Sequence, residues 1–257
     1  MEKRNKLAFL GVQIKYSYIH LLVLYAVVLV GMPVWYLVQA NVRFQTVGAE
    51  MTLFELLRGM PVYLSFLALV LGAQGILSIA YAKQEKNRLA MAKLLLEPRA
   101  VWNIRFGYSL LVTVAAFLVH FISIFLLFFA DRLMYPESSY GTAELYPVFY
   151  RFRYLYLFYP VMNPWAALLL PLCVAGVSQV SVWVGIVIRY HSWIRSLFPV
   201  GVVLFFLFIS YIPDMINLLV FGTVFAFVVI YATVRGRTLY IEGEPSGTDD
   251  GNGGANG

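Results

Sequence analysis

FGYSLLVTVAAFLVHFISIFLLFFA, residues 106–130, is an apolar run of 25 residues without a single Lys, Arg, Asp or Glu. About 20 apolar residues in a helix cross the hydrocarbon layer of a bilayer, so the run predicts a transmembrane helix. The whole chain has this character, because 61% of its 257 residues are hydrophobic and only 12% are charged. Soluble domains carry about 25% charged residues. The composition therefore excludes a soluble globular protein and predicts an all-α integral membrane protein.

Five further apolar segments are bounded by charged or turn-forming residues. Together with the first run they predict six transmembrane helices, at about 18–38, 60–82, 106–130, 162–188, 197–212 and 215–234. The last two form a hairpin that Pro213 and Asp214 interrupt. No segment alternates between apolar and polar residues as a barrel wall does, so strands are not expected. Residues 1–241 then form a single transmembrane domain, and the Gly-rich residues 242–257 form a disordered cytoplasmic tail.

The positions of the basic residues predict the orientation. Fourteen of the 19 Lys and Arg residues lie before residue 16, between 83 and 105, between 189 and 195, or after 234. These segments share one side of a six-span topology, and cytoplasmic loops carry an excess of Lys and Arg. Both termini are therefore predicted to be cytoplasmic. Because the net charge of +6 is dispersed over several loops, it does not indicate nucleic-acid binding.

The longest cytoplasmic connection, between spans two and three, has the pattern of an amphipathic helix. Its apolar residues recur at spacings of three and four, at Leu89, Ala92, Leu95 and Leu96, and its charged residues fall on another face, at Lys86, Lys93 and Glu97. We expect this helix to lie on the membrane surface and to end at Pro98. One interpretation is a surface helix that only joins two spans.

The same segment resembles the coupling helix of the membrane subunits of ABC transporters of the type-two exporter class. The resemblance rests on an acidic-basic start, a leucine-rich middle and a proline near the end: Glu85 and Lys86, Leu94, Leu95 and Leu96, then Pro98 and Arg99. Leu89 and Ala90 replace the Gly-Thr that is usual in the family, and Ala92 replaces a common second glutamate. Residues 3–17, which come before the first predicted span, resemble the interface helix of this family, although a plain basic anchor explains them too.

The resemblance implies a permease subunit of the cytoplasmic cell membrane, of a prokaryote, that works by alternating access and exports an amphiphilic or hydrophobic substrate. The chain has no phosphate-binding G-x-x-x-x-G-K-[ST] loop. ATP and Mg would therefore be bound by a separate cytoplasmic ATPase, beside a second permease copy or a related permease. The implied ATPase-coupling residues are Glu85, Lys86, Arg88, Leu89, Leu95, Leu96, Glu97 and Pro98.

Two further groups of residues have two interpretations each. Polar residues within the spans either line a pathway or bond neighbouring helices: Gln74, His120, Asn163, Gln179 and Ser181. Aromatic and basic residues in the outer loop 131–160 either form an interfacial belt on the outer leaflet or guide an amphiphilic substrate: Tyr146, Tyr150, Arg151, Arg153 and Tyr154.

Two other functional classes stay open beside the permease. A six-span membrane protein without a transport cycle, such as an immunity or assembly factor, fits the topology equally well. An intramembrane enzyme needs a nucleophile with a base, paired acids or metal ligands. Residues 176–179 read Gly-Val-Ser-Gln rather than Gly-x-Ser-Gly, and the three histidines lie on separate segments. We therefore expect no catalytic residues and no metal site in this chain.

Overall fold

The structure is a computed structural model that describes residues 2–47, 60–86, 96–134, 164–190, 193–211 and 215–242. These residues form six helices: α1 (Glu2–Val47), α2 (Met60–Lys86), α3 (Pro98–Met134), α4 (Pro164–Tyr190), α5 (Trp193–Tyr211) and α6 (Met215–Glu242). No strand occurs within the described ranges. The prediction of an all-helical protein is confirmed.

Four helices are long and apolar enough to cross a membrane: α1, α2, α3 and α4, over Glu2–Val42, Pro61–Glu85, Pro98–Leu133 and Leu169–Val187. The chain is thus a multi-pass membrane protein. α5 and α6 cover the positions of the two spans that the sequence predicts in its last hairpin. The break at Pro213 and Asp214 lies outside the described residues.

Helices α1 to α4 alternate in direction along the chain. α1 and α3 are parallel, because contacts advance together along both: Ser17 with Tyr108, Tyr25 with the carbonyl of Val112, and Tyr36 with Asp131. α2 is antiparallel to α3, with Gln74 on Thr113 and Tyr81 on Arg105. α4 is also antiparallel to α3, with Ser178 on Thr113 and Gly185 beside Arg105. α6 is parallel to α4, with Gly222 beside Leu169 and Gly236 beside Trp183.

This alternation brings the amino-terminal end of α1 and the carboxy-terminal end of α6 to the same end of the bundle. We call it the basic end, because nearly all described Lys and Arg side chains lie there: Lys3, Arg4, Lys6, Lys15, Lys83, Arg99, Arg105, Arg235 and Arg237. Among described side chains, the opposite end has Arg132. Among the described residues, the basic side chains are therefore concentrated at one end of the bundle.

α4 is the most enclosed of the four candidate spans and α1 is the least. α4 packs on α2, α3, α5 and α6. Glycines allow its close approach to α6, since a Cβ on Gly176 would lie 2.6 Å from the Phe225 ring and one on Gly222 would overlap the Leu169 side chain. Small residues bring helices together in this way in membranes. α1 instead exposes an apolar face that includes Val23, Val27, Val30, Val34 and Val38.

Several helix boundaries differ from the sequence expectations. α1 begins at Glu2, so residues 3–17 continue the first span as a single 46-residue helix. Pro98 was expected to end a helix, yet it is the first residue of α3. Proline is favoured at a first helical position, where its missing N–H is not needed. α6 continues to Glu242, the expected start of the disordered tail, whose remaining residues 243–257 lie outside the described ranges.

Candidate functional site

The buried face of α3 is unusually polar for a membrane helix. Six of its side chains are at most 4% exposed and lie at spacings that place them on one side of the helix: Arg105, Ser109, Thr113, His120, Ser123 and Asp131. At 1.5 Å per residue they extend over about 39 Å, more than the hydrocarbon thickness of about 30 Å. We call this row the polar face of α3. Polar residues within spans are costly, so their concentration on one face marks it as a candidate functional site.

At the basic end, the polar face begins with a group that we call the Arg105 cluster: Gln13, Gln84, Glu85 and Arg105. Arg105 Nη1 donates to Glu85 Oε1 at 2.5 Å, and the two side chains are only 2% and 7% exposed. Arg105 Nη2 lies 3.4 Å from Gln84 Oε1, which also accepts from Gln13 Nε2 at 2.7 Å. The cluster therefore joins α1, α2 and α3.

Aromatic rings enclose the guanidinium of Arg105. Its Cζ lies 5.9 Å from the centre of the Phe9 ring and 5.2 Å from that of Tyr81, and Tyr81 OH donates to the Arg105 carbonyl at 3.1 Å. Cation–π contacts of this kind are stronger when the cation is shielded from water. Removing one partner of a buried ion pair leaves an uncompensated charge, which strongly destabilises a protein. The cluster thus holds three helices together at one point.

The predicted coupling residues fall on both sides of a segment that the structure does not describe. Glu85 lies in the last turn of α2, where its side chain is in the buried ion pair with Arg105. Leu96 and Glu97 are not helical, and the Glu97 carbonyl accepts the N–H groups of Ala100 and Val101 at the start of α3. The helix predicted between them, with Arg88, Leu89 and Leu95, and the side chain of Lys86 lie outside the described residues.

In the middle of the bundle, hydroxyl and amide groups of α2, α3 and α4 form a second cluster. Gln74 Nε2 donates to Thr113 Oγ1 at 2.7 Å, and Ser178 Oγ lies 2.9 Å from the same oxygen. Ser109 Oγ lies 2.6 Å from the Ser178 carbonyl and 3.0 Å from Ser181 Oγ. All five side chains are at most 2% exposed. Gln74 and Ser181 therefore bond helices to one another here.

His120 lies beyond this cluster, among aromatic rings. Its ring centre is 5.0 Å from that of Phe66, and Phe66 in turn packs on Phe117 and Phe206 from α3 and α5. The fourth predicted polar residue, Gln179, is elsewhere: its Nε2 donates to Thr233 Oγ1 at 2.5 Å and so connects α4 to α6. The polar residues predicted as one group thus occupy three separate environments.

At the end opposite the basic end, the polar face finishes at Asp131. Its carboxylate accepts a hydrogen bond from Tyr36 OH of α1, and both residues are buried. Asp131 was expected at the start of the outer loop, but it lies in the last turn of α3. The remaining predicted residues, Asn163 and the aromatic and basic group at 146–154, lie outside the described ranges.

Sequence reasoning missed Arg105 and Asp131 as members of the site. Arg105 was counted only as a topological charge, although it lies four residues before Ser109 and eight before Thr113, and thus on the same helical face. Extending the helix beyond its apolar centre would have shown this periodicity. Within the described residues, no three His, Cys, Asp or Glu side chains lie close enough together to hold a metal ion.

Comparison with family models, with curated proteins and with solved structures found no match to this chain. The polar face of α3 and its contacts are therefore the basis for a functional proposal.

Proposed function

We propose that this chain is the permease subunit of an ATP-driven ABC exporter, with six spans, both termini in the cytoplasm, and a separate ATPase that binds the connection between α2 and α3. The subunit pairs with a second copy or with a related permease. It moves an amphiphilic or hydrophobic substrate out across the cytoplasmic membrane of a prokaryotic cell.

The observation that carries the proposal is the position of the Arg105 cluster at the base of the α2–α3 connection. Glu85 is in the last turn of α2, and Arg105 is in the second turn of α3. Their ion pair therefore joins the two helices close to the point where the connection leaves α2 and enters α3. The same cluster includes Gln13 of α1. A force applied to the connection by a bound ATPase would therefore act on three helices at once, which a coupling element requires.

The charge distribution supports the orientation. The basic end contains the α2–α3 connection together with Glu2 and the end of α6. Because Lys and Arg concentrate on the cytoplasmic side of membrane proteins, the basic end is the cytoplasmic one. The connection then faces the compartment that contains ATP and soluble ATPases.

The test is a pull-down of the full tagged chain from its native host in mild detergent, with mass spectrometry of the proteins recovered. We expect a stoichiometric ATPase with a P-loop that is retained by the wild type and lost by Leu95→Glu. Arg4→Glu is the matched control, since it also introduces an acid at the basic end but at an exposed site on α1. It should retain the ATPase.

Recovery of the chain alone in several detergents would contradict the permease proposal and favour a six-span protein without a transport cycle. Loss of the ATPase from both variants would contradict the assignment of the connection as its binding site. Gel filtration of each variant shows whether the membrane domain has remained folded.

A further inference from the structure

Three exposed basic residues occupy matching positions on three helices at the basic end: Lys15 of α1, Lys83 of α2 and Arg235 of α6. Each lies four residues from an exposed apolar residue on the same face of its helix. The pairs are Ile19 with Lys15, Ile79 with Lys83, and Tyr231 with Arg235. In every pair the basic residue is the one nearer the basic end. We call Lys15, Lys83 and Arg235 the basic rim.

Contacts between helices place Lys15 and Lys83 at the same level of the bundle. Gln13, two residues from Lys15, donates a hydrogen bond to Gln84, the neighbour of Lys83 in the chain. At 1.5 Å per residue, the backbone positions of the two lysines therefore differ by only a few ångströms along the bundle, about one turn of helix or less.

Arg235 lies close to this level on another helix. Its neighbour Gly236 packs beside Trp102, which is three residues before Arg105 on α3. Arg105 reaches Gln84, so α3 connects the level of α6 to that of α2. The backbone positions of the three rim residues therefore lie within about 10 Å of one another along the bundle.

The exposed face of α1 changes character at Lys15. Toward the opposite end of the bundle this face is apolar, with Ile19 and Leu22 exposed. Beyond Lys15, toward the basic end, the exposed residues on the same face are Gly11, Ala8 and Arg4. A surface that contacts hydrocarbon is apolar, since charged groups there are costly. Lys15 therefore marks the edge of the hydrocarbon layer, where the headgroups lie.

Exposed tyrosines accompany two of the three rim residues. Tyr16 and Tyr18 lie beside Lys15, and Tyr231 lies one turn from Arg235. Tyrosine is enriched at the level of the lipid headgroups, and its hydroxyl can donate a hydrogen bond to a phosphate oxygen. A cation and a hydroxyl donor thus occur together at the same level on two helices.

The charges of the basic rim are not neutralised by the acids that the structure describes. Among the described side chains, the ion pairs at the basic end join Lys6 to Glu2 and Arg105 to Glu85. Within the same set of side chains, the three rim residues form no ion pair. Their positive charges are therefore available to an anion at the headgroup level.

We propose that the basic rim is a binding surface for anionic phospholipid, whose headgroup phosphates lie between the rim cations and the exposed tyrosines. The rim selects lipids with a net negative headgroup over zwitterionic lipids in the leaflet at the basic end. This selection needs neither an ATPase nor a transported substrate, so it goes beyond the proposed function and does not depend on it.

The expected preference follows from the number of cations. A Lys or Arg near the membrane surface adds about fivefold to the affinity for an anionic headgroup, and this effect falls off within a Debye length. Two rim residues together should therefore contribute up to about 25-fold.

The experiment is a lipid titration of the full chain, purified in mild detergent and washed free of lipid. Phosphatidylglycerol and phosphatidylcholine with identical acyl chains are added separately in about 0.1 M ammonium acetate, where the Debye length is about 10 Å. Native mass spectrometry gives the affinity for each lipid. The wild type should prefer phosphatidylglycerol. Lys15→Gln combined with Arg235→Gln should remove up to about 25-fold of that preference, and adding Lys83→Gln should remove a further factor of about five.

The matched control is Lys3→Gln combined with Arg4→Gln. It changes one Lys and one Arg at exposed positions and alters the net charge by the same amount. Lys3 and Arg4 lie about 18 and 16 Å beyond Lys15 along α1, farther than the Debye length. The control should therefore keep the wild-type preference. The affinity for phosphatidylcholine should be equal in all variants, which shows that each has folded.

Three results would overturn the proposal. Equal affinity of the wild type for the two lipids would show that the rim does not select headgroups. An equal loss in the rim variant and in the control would show a general effect of net charge. Displacement of phosphatidylglycerol by millimolar inorganic phosphate would indicate a site for soluble anions. Because no ATPase is present, the titration can succeed when the pull-down fails, and the reverse.

Discussion

Replacing Gly236 by Ala tests whether α6 packs where the structure places it. A Cβ at this position would lie 2.7 Å from Cη2 of Trp102 and 3.0 Å from two atoms of the Trp183 ring. Ordinary carbon–carbon contacts are about 3.5–4.0 Å, so two rigid rings that are 2% and 4% exposed must move by about 1 Å. Overpacking of this kind costs about 1–3 kcal/mol.

Gly31→Ala is the matched control, because a Cβ there would meet no atom within 4 Å. Both substitutions lie inside helices and gain the same preference of Ala over Gly, up to about 1 kcal/mol. That gain cancels in the comparison, so Gly236→Ala should be less stable than Gly31→Ala by about 1–3 kcal/mol. The assay is unfolding in mixed micelles of dodecyl maltoside and sodium dodecyl sulfate, followed by circular dichroism. Equal stability of the two variants would refute the close approach of α6 to α3 and α4.

Two further predictions concern the cluster of hydroxyl and amide groups between α2, α3 and α4, and the topology of the helices. Ser109→Ala removes hydrogen bonds between α3 and α4 and should lower the free energy of unfolding by about 0.6–1.7 kcal/mol. Ser123→Ala, whose hydroxyl donates to the His120 carbonyl of its own helix, should have a smaller effect in the same assay. Equal effects would show that the bonds between helices contribute nothing. Cysteines replacing Lys83 and Leu133, which are exposed at opposite ends of the bundle, should react with an impermeant maleimide from opposite sides of the membrane. Labelling of both from one side would contradict the alternation of the helices.

The positions of the helices could be predicted from the sequence because the bilayer imposes their length. A backbone in hydrocarbon must satisfy its own hydrogen bonds, so a long apolar run such as 106–130 has few alternatives to a helix. The ends of the helices could not be predicted in this way. Outside the hydrocarbon layer that constraint is absent, and the continuation of α1 to Glu2 depends on packing of Phe9 and Gln13 against α2 and α3.

The candidate site was only partly predictable for a different reason. Gln74 and Gln179 stand out as polar residues in apolar runs, but their neighbours on other helices depend on tertiary packing, and Gln74 faces α3 whereas Gln179 faces α6. The interpretation of Glu85 shows the same limit. Its position beside Lys86 is typical of an exposed docking motif. Only the fold shows that Glu85 is buried in an ion pair with Arg105 of the next helix.

The location of the polar face on α3 follows from the number of neighbours that this helix has. α3 packs on α1, α2, α4 and α6, so a polar side chain on its buried face meets another helix at almost every level. α1 packs on α2 and α3 and exposes the rest of its surface, where a polar group would face lipid. The buried polar residues of α1 accordingly contact its neighbours, as Gln13, Ser17 and Tyr36 do. Sensitivity to substitution should therefore follow the face of each helix rather than its mean hydropathy.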